Sequence, residues 1–182
     1  MDLEEKKPLK ERMAPLTMIW ISIIFSVVIG AAAVLFLVTQ GDIKPALTGE
    51  EADIMVISLA AMAIVMIAVG HKIGPMFILP GYIRDRSLPR SPDETGGDFW
   101  VKSEEDRALT IFPKYFQVCI IRWAFFEGVG MLGLVCALLT EEGYLPHAGA
   151  FLAVSVALLA ISRPSLEELY TLAGRTGGLG RG

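Results

Sequence analysis

Cysteine and histidine are almost missing from this chain: of its 182 residues, two are Cys and two are His. A disulfide framework needs more cysteines than that, and a zinc centre of Cys/His type has almost nothing to build on. Charge is also scarce. Asp, Glu, Lys and Arg make up 20% of the residues, where an ordinary soluble domain carries about 25%. Basic residues do not dominate: the net charge is −4 and the pI is about 5.2, which argues against nucleic-acid binding by bulk charge. The chain contains no phosphate-binding loop, no HExxH, no CxxC and no Ser/His/Asp order. Neither an enzyme nor a bound cofactor or metal is expected.

What the chain has in quantity is apolar sequence, 53% of residues with a mean hydropathy of +0.55. It is gathered in four blocks. Leu16–Val38 and Ile54–Gly70 carry no charge, Phe116–Leu139 is interrupted only by Arg122 and Glu127, and Gly143–Ser162 begins with Pro146 and His147 near its start. At 1.5 Å per residue, about 20 residues cross a hydrocarbon core of about 30 Å. The expected architecture is an all-α membrane protein. It is one four-span domain over residues 1–182, with spans at 16–38, 54–70, 116–139 and 145–162. The first block is too long for the apolar core of a cleaved signal peptide and reads as a retained span.

Charge sets the expected orientation. Fourteen of the sixteen Lys and Arg precede span one, follow span four, or lie in the loop 71–115, whereas the opposite loops hold Lys44 among six acids. The positive-inside rule then places both termini and the loop 71–115 on the cytoplasmic side of the cell membrane.

The four spans form two tandem hairpins of the same orientation. An offset of 101 residues lays the first on the third span, matching Ile19 with Ile120, Phe25 with Phe126, Val34 with Val135, and Ser26 with Glu127. Such a pair of hairpins would be a parallel repeat about an axis along the membrane normal. In the middle loop, Ile73–Ile83 is apolar but interrupted by Pro75 and Pro80, so it is expected at the interface and not across it. Ser103 followed by three acids reads as a helix cap, and Arg107–Phe116 as an amphipathic segment entering span three through Pro113. Ser165-Leu166-Glu167-Glu168 is a second cap, opening a short helix to Ala173, and the glycine-rich residues 174–182 are expected to be flexible.

Glu127 is the residue that stands out. It falls near the midplane of span three, where a charged carboxylate costs several kcal/mol or else stays protonated. Ser26, Ser22 and Ser155 on neighbouring spans are candidate hydrogen-bond partners. Ala124, Gly128, Gly130 and Gly133 surround it with small side chains, which let another helix come close. Arg122 is turned well away from Glu127 around the helix and is expected to reach the headgroups, as are Arg84, Arg86 and Arg90.

Within residues 121–139, the run Ala124–Leu139 (AFFEGVGMLGLVCALL) resembles the carboxylate-bearing helix of subunit c, the ion-carrying ring subunit of rotary ATPases. The shared features are the acid at Glu127, glycine at Gly133, and Leu134-Val135 and Ala137-Leu138-Leu139 beyond it. A duplicated hairpin with one carboxylate lost is similar to the vacuolar-type subunit. The resemblance implies that Glu127 is a protonatable ion site. It does not extend to hairpin position, since the family carries its acid on the second helix of a hairpin and Glu127 lies on the first.

Two functions follow from this reading. The first is a structural, accessory or assembly subunit of a larger membrane complex, partnered by lipid and by other subunits or further copies of itself. The alternative is a proton- or cation-translocating protein working through Glu127.

Overall fold

The computed structural model describes the backbone of residues 9–40, 45–85 and 104–178, and the side chains of 9–40, 45–72 and 108–173. Among the described residues it is built from helices: α1 (Leu9–Thr39), α2 (Glu50–Asp85), α3 (Glu104–Leu139), α4 (Leu145–Ile161) and α5 (Leu166–Gly178), with a 3₁₀ turn at Glu142–Tyr144. Four of these carry stretches long and apolar enough to cross a membrane: Leu9–Thr39, Glu50–Lys72, Ala108–Leu139 and Glu142–Ile161.

The helix α3 is the central post. Half of its apolar stretch is buried inside the protein, whereas the stretches of α1 and α2 lie almost wholly at the surface. The contacts fix direction. Along α3, Glu127 and Leu134 meet Ser26 and Gly30 in turn, so α1 runs parallel to it. Phe126 and Gly128 meet Gly70 and Met66, while Trp123 and Gly133 meet Ser162 and Ala148, so α2 and α4 run antiparallel to it. Each of the three packs on α3, but α1 barely touches α2, and α2 barely touches α4. The two hairpins therefore differ in packing: α3 and α4 lie against each other along their length, and α1 and α2 do not.

The α1–α3 seam has a simple sequence basis. Leu9, Met13, Leu16 and Val27 are buried, with Trp20 and Ile23 packed beside them. These positions alternate steps of four and three, which is the 3.5-residue spacing of helices packed side by side. Opposite them lie Ile111, Tyr115, Cys119, Trp123 and Phe126 of α3, joined by Leu159 of α4 and Leu169 and Ala173 of α5. The bulky core thus sits at the end of the bundle where α1 and α3 begin. Toward the other end, the α3 interface narrows to Val129, Leu132, Cys136 and Ala137.

Polar groups close the helix ends. The indole N–H groups of Trp20 and Trp123 donate to the carbonyls of Leu159 (2.8 Å) and Ser162 (3.0 Å) at the end of α4, where Pro164 prevents the helix from continuing. At the opposite end, the amides of Ala46 and Leu47 both donate to the carbonyl of Leu139, tying the segment before α2 to the end of α3. Tyr144 then donates to Asp53 Oδ1 at 2.6 Å and also lies 3.2 Å from the carbonyl of Gly49, the glycine with φ of 55° that turns the chain into α2.

Two expectations need correction. Ile73–Ile83 is not broken off from span two, because α2 stays helical through Pro75 and Pro80 to Asp85. A proline removes one intrahelical bond, but leaving the helix would free several more backbone groups. Arg107–Phe116 enters span three through Pro113 as expected, in one unbroken α3. The tail is helical for longer than expected, with α5 reaching Gly178 and not ending at Ala173. α5 begins at Leu166, just after Ser165, where the sequence places its cap, and α3 begins at Glu104, while Ser103, expected to cap it, lies outside the described residues. The orientation of the termini and the middle of the loop 71–115 were read from charge, and residues 86–103, which include Arg86 and Arg90, lie outside the described residues.

Candidate functional site

Two of the polar constellations that bridge helices involve the charged residues of span three. The first centres on Glu127, whose side chain is half-buried on α3. Ser26 Oγ of α1 donates to Glu127 Oε1 at 3.4 Å, a long hydrogen bond between a half-buried and an exposed residue. The other two candidate serines are engaged elsewhere. Ser22 Oγ donates to its own helix at Met18 O, and Ser155 Oγ donates to Phe126 O at 2.7 Å, deep in the α3–α4 contact.

The small residues around Glu127 divide by face. A methyl group on Gly128 would run into the thioether end of Met66, so this glycine receives α2. On Gly130 it would fall 2.9 Å from Ser155 Oγ and 3.3 Å from Val27 Cγ1, and on Gly133 2.8 Å from the carbonyl oxygen of Ala148. Gly130 and Gly133 therefore receive α4. Ala124 alone of the four remains exposed. The glycines were expected to admit another helix, and the helices they admit belong to this chain.

Beside Glu127, α3 presents an uncovered stripe: Ile121, Ala124, Met131 and Val135 are all exposed, Met131 to 53%. It opens between α1 and α2. On the other side of α2, a second apolar groove of about 330 Å³ runs between α2 and α4, lined by Ala60, Ala63, Ile64, Phe151 and Val154 among others, with His147 at one end.

The second constellation joins α3 to α5. Ser165 Oγ accepts from the backbone N–H of Glu168 at 3.1 Å, the expected cap bond. In a capping box the Glu168 side chain would turn back to the Ser165 N–H. Here the Tyr115 hydroxyl accepts from that N–H instead (3.2 Å) and donates to Glu168 Oε2 (3.0 Å). The other carboxylate oxygen, Oε1, meets Arg122 Nη1 at 3.2 Å. Arg122 thus pairs with Glu168 on α5, a contact not foreseen from spacing within span three. The guanidinium Nε of Arg122 is buried with no hydrogen-bond partner among the described residues. Sequence reasoning takes Tyr115 as an aromatic anchor at the headgroup level and gives it no part in this constellation. Its signal was a tyrosine four residues before Cys119 and seven before Arg122, on the buried stripe of α3.

Cys119 and Cys136 are both buried and free, on one helix and too far apart to pair. Among the described residues no group of three His, Cys, Asp or Glu side chains is placed to hold a metal ion. Glu127 with Ser26 offers one carboxyl and one hydroxyl, a set suited to a proton and too small to replace the hydration shell of a metal cation. Arg84 lies on the helical backbone of α2, near its end.

No protein-family model, no curated protein and no solved structure matches this chain.

Proposed function

We propose that the chain is a small multi-pass integral membrane protein of the cytoplasmic membrane, serving as a structural, accessory or assembly subunit. One observation carries this reading: the polar contacts between helices in this fold are spent on holding helices together. Trp20, Trp123 and Ser155 end on backbone carbonyls of neighbouring helices, and Glu168 clamps α5 to α3 through Tyr115 and Arg122. The bare outer faces of α1 and α2 supply the surface on which lipid or other subunits pack. The test is purification of the tagged protein from its native membrane in mild detergent, followed by mass spectrometry of the complex. A stoichiometric partner chain supports the reading, and a chain that purifies free of other proteins defeats it.

The alternative, proton translocation through Glu127, is favoured by one feature: among the described residues the acid is held by a single long hydrogen bond, and it stands beside an exposed stripe of α3. It rests on the resemblance to subunit c for its chemistry. Reconstituted in liposomes with a pH-sensitive dye inside, the wild-type chain would then dissipate a proton gradient, and Glu127→Gln would abolish the flux. Equal flux from both proteins removes this reading.

A further inference from the structure

Water and hydrocarbon leave different marks on the outside of a helix. In water the large apolar side chains turn inward and the exposed ones are polar, whereas in lipid large apolar side chains face outward. Both marks occur along single helices of this fold, and they change over at one level. On α1 the exposed residues near the start are Lys10, Glu11, Ala14 and Pro15, and from Met18, 69% exposed, they include Ile21, Phe25 and Val28. On α3 Thr110, Pro113 and Gln117 are exposed, followed by Ile121, Ala124 and Met131. The exposed face of α4 ends at Ile161 and passes to Arg163, and that of α2 passes from Val69 to His71 and Lys72. These changes fall within about one helical turn of a single cross-section, because each lies within two residues of a contact made there. The contacts are Trp20 with the Leu159 carbonyl, Trp123 with the Ser162 carbonyl, and the His71 ring against the Phe126 ring at 5.5 Å.

We infer that the bilayer surface on the side of the termini lies at this level, and that the parts of α1 and α3 before it join α5 in a three-helix domain standing in water. The dimensions agree. With 36 residues α3 is about 54 Å long, far more than a hydrocarbon core of about 30 Å needs. Ile121–Leu139 rises about 27 Å, and the 17 residues of α4 rise about 26 Å. Beyond that slab, Leu9 and Met13 of α1, Ile111 and Tyr115 of α3, and Leu169 and Ala173 of α5 share one buried core. Among the described residues, the exposed side chains of α5 are Glu167, Tyr170 and Thr171. An apolar core under a mostly polar exterior is what water drives together. The Arg122–Glu168 ion pair closes the base of this domain with Glu168 one-third exposed, a placement that hydrocarbon would penalise. Lys72 and Arg163 stand exposed at the boundary, where lipid phosphates lie. Glu127 is then about 9 Å inside the boundary and not at the midplane. The inference rests on the reading of the chain as a membrane protein and adds where the membrane stops.

The full-length chain is assembled in phosphatidylcholine nanodiscs, where both faces of the bilayer meet the buffer, and reacted with a charged, water-soluble maleimide. The variants are Lys10→Cys, Gln117→Cys and Thr171→Cys in the water domain, and Phe25→Cys and Met131→Cys in the slab. All five positions are exposed on the protein, so burial within the fold does not distinguish them. Native Cys119 and Cys136 are buried, and the parent chain measures their background. With each rate taken relative to that of the same variant unfolded, and in variants that keep the wild-type helical content, positions 10, 117 and 171 are expected to react at least several-fold faster than 25 and 131. Protection at 117 and 171 equal to that at 131 overturns the inference and leaves the membrane reading standing. Fast, equal reaction at all five positions overturns both.

Discussion

Ser26 on α1 and Glu127 on α3, 101 residues apart, are joined by a hydrogen bond from Ser26 Oγ to Glu127 Oε1. The separation is the same offset that aligns the first apolar block with the third. α1 and α3 run parallel, and the offset holds at this pair but not beyond it, since Val27 meets Gly130 and Gly30 meets Leu134, two and three residues further along α3 than the offset would place them.

The clamp on α5 should be separable from the rest of the fold. Glu168→Ala removes the partner of Arg122, the partner of the Tyr115 hydroxyl and the acid at the start of α5. Glu168 is one-third exposed, so the full penalty for a broken buried pair does not apply, and a loss of about 1.5–3 kcal/mol is expected. Amide hydrogen exchange in α5 should then accelerate by about tenfold or more, since 1.4 kcal/mol is a factor of ten. Exchange in α4 should stay close to wild type. An unchanged α5 would mean that Leu169 and Ala173 hold it without the clamp.

Two glycines on α3 should answer differently to alanine. At Gly133 the new methyl meets a backbone carbonyl, Ala148 O, which cannot move without shifting α4. At Gly128 it meets the free end of Met66, a flexible side chain with room to turn outward. Gly133→Ala should cost about 1–3 kcal/mol, and Gly128→Ala less than about 1 kcal/mol, helped by the better helix propensity of alanine. Thermal unfolding of both variants in detergent gives the order, and a more stable Gly133→Ala would reverse the argument.

Orientation is open to direct measurement. With the basic residues gathered at the termini and in the loop 71–115, reporters fused at either end should both be active on the cytoplasmic side. A reporter active outside at one end requires an odd number of crossings and would remove one of the four spans.

Much of the scaffold was legible in the residues. The four apolar blocks became four helices, and Ser165 caps α5 as its spacing with Glu168 suggested. Ser26 was among the partners expected for Glu127. What hydropathy did not separate was inside from outside. Leu16 is fully buried and Met18 is 69% exposed, yet both belong to one uninterrupted apolar run. In a membrane the lipid-facing and protein-facing sides are alike in polarity, so the four-three spacing of Leu9, Met13, Leu16, Trp20, Ile23 and Val27 becomes informative only once α3 is known to lie opposite. The prolines at 75 and 80 misled for a related reason: their effect as breakers was weighed without the cost of ending a helix where few other partners exist for its backbone. Glycine was ambiguous too, since a small side chain says that something comes close but not whether it belongs to the same chain.

The near absence of contact between α1 and α2 has a consequence for the order of biogenesis. A ribosome releases the first hairpin while α3 is still unmade, and at that moment the two inserted helices have little to hold each other. They enter the bilayer as separate rods, tethered by the loop that joins them, and acquire fixed positions only when α3 arrives to bind each on its own side. Assembly of this fold is therefore decided late, by its third helix, and a chain interrupted before residue 104 would be inserted without being folded.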